Sequence, residues 1–303
     1  MSSPNETTET SDNRVPLVEL KNLRVMLPTG QRSEIEAVRQ VDLVVHDGER
    51  VGLVGESGSG KSVTGRAIAG LLPTSPRVRV SGSIRFSGTE MVDAPRTAWD
   101  AVRRERVGMI FQDPLTFLNP TMRIGLQVAE SIPRSRDRGD RRSRMRAANN
   151  FLRQAGLENA EQIALNFPHE LSGGMRQRVL IAIAIAKLPA LIIADEPTTA
   201  LDATVQQLVL HTLDETVAEL RTSLVLISHD LAVVAGMTDR IYVMYAGRIV
   251  EEGPTERVMN DPQHPYTQAL LRSVRSLTNE GTELYSIPPS LRREFTAEVP
   301  RAS

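Results

Sequence analysis

Three features of the 303-residue sequence predict a doubly wound α/β core. A short apolar run, Arg50-Val51-Gly52-Leu53-Val54-Gly55, leads through a glycine-rich loop into a helical pattern from Lys61 to Leu72, which Pro73 stops. Two further runs, Leu191 to Asp195 and Leu224 to Ser228, are apolar without alternation, as in parallel strands covered on both faces. A helical pattern at Val205 to Leu220 lies between them, and this strand–helix alternation is that of βαβ units.

The remaining elements follow along the chain. Residues 1–15 are rich in Ser, Thr, Asn and Glu and read as a disordered tail. Leu17 to Val25 and Ala37 to Val45 alternate like half-buried strands, so a small antiparallel sheet opens the fold. The long interval between Gly55 and Leu191 leaves room for an inserted helical subdomain, with Asp140 to Gly156, Arg-rich and then apolar-periodic, as one of its helices. No internal repeat is present, so the chain carries one copy of each motif.

Composition narrows the function. Lys and Arg number 36 against 37 Asp and Glu, a formal net charge of −1, which excludes a wholesale polyanion binder. With 40% hydrophobic residues the chain can bury a core. There is no cysteine, which excludes disulfides, thiolate metal sites, Cys-ligated clusters and a catalytic thiol, and fits a reducing interior. The N-terminus lacks the apolar stretch of a secretory signal. Val179 to Ala194 is the most apolar segment, but Lys187 and Pro189 break it, and it falls short of the roughly 18 to 20 residues that span a bilayer. The reading is a soluble chain that meets a membrane only through a partner. Its lysines are Lys21, Lys61 and Lys187; all other basic side chains are arginine.

Gly55-Glu56-Ser57-Gly58-Ser59-Gly60-Lys61-Ser62 fits the phosphate-loop pattern G-x-x-x-x-G-K-[ST]. Glycines let backbone N–H groups converge on phosphate oxygens, Lys61 reaches the β- and γ-phosphates, and Ser62 offers a hydroxyl to Mg²⁺. Its place after a strand and before a helix argues against a merely flexible Gly/Ser turn. The run Leu191 to Asp195 delivers Asp195 and Glu196 to a strand's C-terminal edge, where ligands bind in open α/β sheets. Two acids at a strand end are often only a solvated terminus. Beside a phosphate loop they divide labour: Asp195 holds Mg²⁺ through water, and Glu196 polarises the water that attacks the γ-phosphate. A second helix start, Leu171-Ser172-Gly173-Gly174-Met175-Arg176-Gln177-Arg178, offers a capping serine and exposed N–H groups to an anion.

The string Ser172 to Gln177, set between the phosphate loop and Asp195, resembles the signature motif of ABC ATPases. The resemblance implies a P-loop NTPase (RecA-like) core with an antiparallel β subdomain and an inserted α-helical signature subdomain at about residues 113–176. The nucleotide-binding domain would cover 16–260 and a C-terminal extension 261–303. It implies ATP and Mg²⁺ as cofactors, with Gly55, Glu56, Ser57, Gly58, Ser59, Gly60, Lys61 and Ser62 around the phosphates and Ser62, Gln112 and Asp195 around the metal. Gln112 matches the Q-loop glutamine that touches the metal, the attacking water and the transmembrane partner. Asp202, in Ala200-Leu201-Asp202, matches the D-loop, and His229 matches the switch histidine that senses the γ-phosphate. Ser172, Gly173 and Gly174 would close on ATP held by a second ATPase, identical or related, paired head to tail.

Asp261-Pro262-Gln263-His264-Pro265-Tyr266-Thr267-Gln268-Ala269-Leu270-Leu271 is similar to the tail motif of oligopeptide, dipeptide and nickel importer ATPases, as are Phe111-Gln112-Asp113-Pro114 and Leu118-Asn119-Pro120. Read alone, this tail is a Pro-stopped turn and an amphipathic helix, and it distinguishes the subfamily rather than the activity. The implied partners are two transmembrane permease subunits and, indirectly, an extracytoplasmic substrate-binding protein. The implied place is the cytoplasmic face of the cell membrane. Peptide is the leading cargo and nickel or a metallophore the alternative; a non-transport ABC ATPase and a hydrolytically silent ATP switch remain open.

Two departures stand out. Arg24-Val25-Met26-Leu27-Pro28 carries no aromatic where many ABC ATPases stack adenine, so Leu27 or Met26 packs the base. The cysteines that some importers of this group carry after the His-Pro-Tyr motif are missing, and Ser290 to Ser303 reads as a short mobile tail. The run Arg134, Arg136, Arg138, Arg141, Arg142, Arg144 and Arg146 is interrupted by Asp137 and Asp140 and has no interleaved aromatics. It reads as a solvated helical face, with a lipid-proximal role as the alternative and no nucleic acid.

Overall fold

A computed structural model describes residues 15–29, 33–73, 78–136, 139–199 and 201–278. The tails expected at 1–15 and 290–303 fall outside these residues, apart from exposed Val15. Two sheets organise the chain. The first is antiparallel and ordered β2-β1-β4-β5, built from β1 (Val18–Pro28), β2 (Glu34–Val45), β4 (Arg79–Phe86) and β5 (Thr89–Glu90). It contains both alternating segments expected to pair. The second has the order β10-β9-β3-β8-β7-β6, from β3 (Arg50–Val54), β6 (Val107–Ile110), β7 (Leu191–Asp195), β8 (Ser223–Ser228), β9 (Arg240–Tyr245) and β10 (Arg248–Pro254). The neighbours from β6 through β9 pair in parallel, and β10 adds an antiparallel edge.

All residues of β7 and β8 are buried, which is why these strands carry no polar alternation. Helices cover this sheet: α1 (Lys61–Ile68) packs on β7 and β8, α9 (Leu231–Met237) on β3 and β8, α2 (Arg96–Glu105) and α7 (Gly173–Ile185) on β6, and α10 (Thr255–Asn260) on β9 and β10, with α8 (Ala203–Leu220) against α7 and α11 (Pro265–Thr278) against α9. Between β6 and β7 the chain also forms α3 (Pro114–Phe117), α4 (Ile124–Ser131), α5 (Arg141–Gln154) and α6 (Ala160–Ile163). Asp140 caps α5 by accepting from the Ser143 N–H at 2.8 Å. The architecture is the expected P-loop class with an antiparallel sheet and a helical insertion.

Two expectations need correction. α1 ends at Ile68, well before Leu72, and Pro73 does not stop it. Gly70, at φ +63°, closes the helix: its N–H donates to Ala67 O and that of Leu71 to Arg66 O, the paired bonds of a Schellman motif. A Cβ at Gly70 would stand 2.1 Å from Trp99 Cε3, so the indole of α2 occupies that space. The arginine run is not one solvated face. Arg134, Arg136, Arg141, Arg142 and Arg146 are exposed and Arg138 lies outside the described residues, but Arg144 turns inward. Its Nη2 donates to Ala129 O at 2.5 Å and Ile132 O at 2.8 Å, satisfying carbonyls at the end of α4.

Lys187 is likewise structural: its Nζ donates to Arg103 O at 2.9 Å near the end of α2, and burial, with Arg103 nearby, lowers its pKa. Lys21, exposed on β1, pairs with the partly buried Glu19 at 2.8 Å.

The start of α11 is held by Glu251 on β10. Its carboxylate accepts from Gln263 N–H at 2.8 Å and His264 N–H at 3.0 Å. Burial alone would raise the Glu251 pKa, but these donors outweigh it and the carboxyl titrates below its ordinary value. A lowered folded-state pKa stabilises above the unfolded value and is lost as pH falls through the folded one. Glu251→Gln is therefore expected to cost about 1 kcal/mol and roughly 2–4 °C of Tm at neutral pH. The gap to wild type should narrow as pH falls below the ordinary carboxylate range; a gap in thermal melts that does not change with pH on acidification would refute the charge-based account.

Candidate active site

Parallel pairing brings the C-terminal ends of β3, β8, β7 and β6 side by side; Asp195 ends β7, and the phosphate loop, Gln112, Glu196 and His229 follow β3, β6, β7 and β8. The loop after β3 requires glycine at two tight points. At Gly55 a Cβ would lie 2.1 Å from Met244 O, and at Gly60, φ +105°, it would lie 2.4 Å from Ala37 O. Gly60 caps α1 without a side-chain acceptor, so the first N–H groups of the helix face the loop rather than a serine or aspartate.

Lys61 is only 3% exposed. Its Nζ donates to Gly55 O at 2.8 Å and Glu56 O at 2.9 Å, so the ammonium is folded back along its own loop. Burial pulls its pKa down, opposed by Glu196, Asp195 and Glu56. Ser62 Oγ donates to Asp195 Oδ1 at 2.7 Å. Asp195 closes β7 almost without solvent contact, and that burial raises its pKa despite the serine bond.

Glu196 occupies a backbone conformation unusual for a side-chain-bearing residue, φ +47°, held by its N–H donating to Ile227 O at 2.9 Å. The turn aims its carboxylate at residues from two other strand ends. Oε2 accepts from Thr199 Oγ1 at 2.9 Å and from Gln112 Nε2 at 3.3 Å, and His229 Nδ1 lies 3.5 Å away. Gln112 follows β6 and His229 follows β8, so three loops meet at one oxygen.

A cleft of about 620 Å³ opens over this cluster, lined by Leu27, Ile35, Ala37 and Arg39 on one side and by Gly58, Gly60, Lys61, Ser62, Gln112 and Glu196 on the other. Of the two residues expected to pack a base, Leu27 is in the wall and Met26 is not. Adjacent strand residues point to opposite faces, so only one of them can line it.

The signature residues stand apart from this cleft. Ser172 Oγ accepts from the Met175 N–H at 3.3 Å and caps α7, as its position implied. Gly174 packs α7 onto α8, where a Cβ would meet Val205 Cγ1 at 2.3 Å. Asp202 caps α8 through Val205 N–H at 3.0 Å, and its neighbour Leu201 lies against Gly173. Ala200 is outside the described residues. Ser172, Gly173 and Asp202 are exposed, with the loops bearing them side by side.

Sequence reasoning missed Thr199, which holds the Glu196 carboxylate, and Gln177, whose buried Nε2 donates to Phe111 O at 3.1 Å and ties α7 to the residue before Gln112. Gln177 lies within the string read as the signature, and Thr199 falls between Glu196 and Ala200-Leu201-Asp202. Thr199 stands three residues beyond Glu196, and a hydroxyl at that distance past a turn was the available signal.

The chain matches the ABC transporter family over residues 38–199. It belongs to that family. A second match, to the oligopeptide/dipeptide transporter C-terminal region, covers residues 250–297. Among similar proteins, the oligopeptide transport ATP-binding protein OppD of Bacillus subtilis is 44% identical over 92% of this chain and 78% of its own length. The dipeptide transport ATP-binding protein DppD of Lactococcus lactis is 42% identical over 90% and 77%. OppD of Salmonella typhimurium is 42% identical over 91% and 82%. A dimeric ATP-binding cassette solved in a post-hydrolysis state with ADP and Pi superposes with a TM-score of 0.69 at 30% identity, covering 78% of this chain and 98% of that one. Among the described residues of this ABC cassette, no helix is long and apolar enough to cross a membrane.

Proposed function

We propose that this ABC cassette is the ATP-hydrolysing subunit of a peptide importer. One observation carries the catalytic part: Lys61, Ser62, Asp195, Glu196, Gln112 and His229, spread over much of the chain, converge at one end of the parallel sheet. The free N–H groups of the loop from Gly55 to Ser62, Ser57 included, and the Lys61 ammonium bind the phosphates, while the Glu56 and Ser59 N–H groups hold the loop's own shape. Leu27 packs the base.

Ser62 and Asp195 present hard oxygen donors already 2.7 Å apart, a donor set suited to Mg²⁺, with Gln112 as a further oxygen ligand. The ion would neutralise charge on the transferred phosphoryl group. Glu196 accepts the proton of the attacking water, while Thr199, Gln112 and His229 hold its carboxylate in place. Removal of one such contact has a measurable cost: Thr199→Val is expected to lower kcat about three- to tenfold, with Thr199→Ser near wild type. Equal activity of the two variants would show that the hydroxyl does not orient Glu196.

Exposed Ser172, Gly173 and Asp202 suit closure on ATP held by a second cassette, identical or related, so that binding joins the pair and hydrolysis releases it. Leu115 and Phe117, 56% and 45% exposed beside Gln112, offer an apolar face to a permease subunit at the inner surface of the membrane. Two permeases and, through them, an extracytoplasmic binding protein complete the assembly. The names of its relatives favour peptide over nickel as cargo.

The test is to isolate the tagged chain from its native membrane in mild detergent and to measure ATP-dependent peptide uptake by the reconstituted assembly. Co-isolation of two permeases with peptide uptake is expected. Recovery without membrane partners would overturn the importer reading and favour a non-transport ABC ATPase.

A further inference from the structure

The C-terminal region reaches the phosphate loop through one side chain. Tyr266, the second residue of α11, is fully buried, and its Oη accepts from the backbone N–H of Glu56 at 3.0 Å. That N–H belongs to the Gly55–Glu56 peptide. The C=O of the same peptide, Gly55 O, accepts from Lys61 Nζ at 2.8 Å. A peptide unit is planar and rigid, so fixing its N–H fixes the direction of its carbonyl. Gly55 lacks a Cβ and permits its following peptide to rotate, so an anchor on that peptide has something to restrain.

The anchor is itself well held. The Tyr266 ring packs on Tyr245 with centroids 4.5 Å apart, and Tyr245 follows Met244, whose carbonyl crowds Gly55. The Tyr266 N–H donates to His264 Nδ1 at 3.1 Å, and Glu251 accepts from the two N–H groups just before α11. Tail, β10, β9 and phosphate loop therefore form one connected set.

We infer that Tyr266 is a positioning residue of the nucleotide site: its hydroxyl sets the Gly55–Glu56 peptide and through it the Lys61 ammonium. The tail thus serves nucleotide affinity as well as marking a subfamily. This inference rests on the proposed reading of the phosphate loop.

The test uses the full-length chain with Tyr266→Phe, which keeps the ring and removes only the hydroxyl. The dissociation constants of ATP and ADP should both rise about three- to tenfold, the change expected for one neutral hydrogen bond. KM for ATP should follow. kcat should stay within about twofold, because Glu196, Gln112 and His229 are untouched. A lowered Tm with unchanged nucleotide affinity would overturn the inference, since that is what a purely structural tyrosine gives. Lys61→Ala separates the two levels of argument. If it loses binding while Tyr266→Phe does not, the role of Tyr266 fails alone; if it retains full binding, the loop reading fails and this inference with it. Should Tyr266→Phe not fold, amide exchange in the unmodified protein decides: the Glu56 N–H should be protected, and exchange at the rate of a free peptide amide would overturn the role of Tyr266.

Discussion

Glu196→Gln is expected to bind ATP within a few-fold of wild type and to turn it over at least about a hundredfold more slowly, the usual scale for loss of a general base. The amide matches the carboxylate in size. It leaves the φ +47° turn and the Glu196 N–H bond to Ile227 O as they are, because both belong to the backbone. Its oxygen can still accept from Thr199, so the group stays in place but no longer takes a proton. Binding depends on Lys61 and the loop N–H groups, which the substitution does not touch. Single-turnover phosphate release measures the effect directly. Size-exclusion chromatography with ATP should also show the paired form accumulating, since hydrolysis is the step that separates the halves in the proposed cycle. Turnover at the wild-type rate would move the base to another residue and leave Glu196 a strained strand end.

The parts of this site that were legible in the sequence are those where one short stretch does the whole job. The phosphate loop is such a stretch: Gly55 and Gly60 are fixed by the close approach of Met244 O and Ala37 O, and Lys61 and Ser62 follow at once. β7 and β8 showed as unbroken apolar runs because both faces are covered, and the acids at the end of β7 follow from strand direction. What was not legible depends on contacts between distant segments. α1 is closed by Gly70, a local glycine signal, but nothing in residues 61–73 announces the Trp99 indole from α2 that fills the space beside it. Arg144 looks like its exposed neighbours until the end of α4 is placed against it. Met26 and Leu27 are equivalent by composition, and only the pleat of β1 decides which faces the cleft. Tyr266 and Glu56 lie far apart in the chain, and a single hydroxyl-to-backbone bond has no periodicity to betray it.

Lys61→Ala is expected to act on the other half of the cycle, raising the ATP dissociation constant by roughly ten- to a hundredfold, the range for a charged hydrogen-bonding group. The side chain is buried and pinned by two carbonyls, Gly55 O and Glu56 O, so truncation removes the cation and leaves both acceptors without it. A nucleotide stabilises the fold in proportion to RT ln(1 + [L]/Kd), so the ATP-induced rise in Tm should shrink at fixed ATP concentration. Lys61→Arg discriminates between charge and shape. Arginine keeps the positive charge, but its planar fork does not reproduce an ammonium placed 2.8 and 2.9 Å from two carbonyls of a tight loop. If geometry matters, Lys61→Arg binds ATP more weakly than wild type; full affinity would mean that any cation at that position serves. Wild-type affinity in Lys61→Ala itself would remove the phosphates from this loop altogether. That outcome would leave the Gly60 and Gly55 constraints as features of strand packing rather than of ligand recognition.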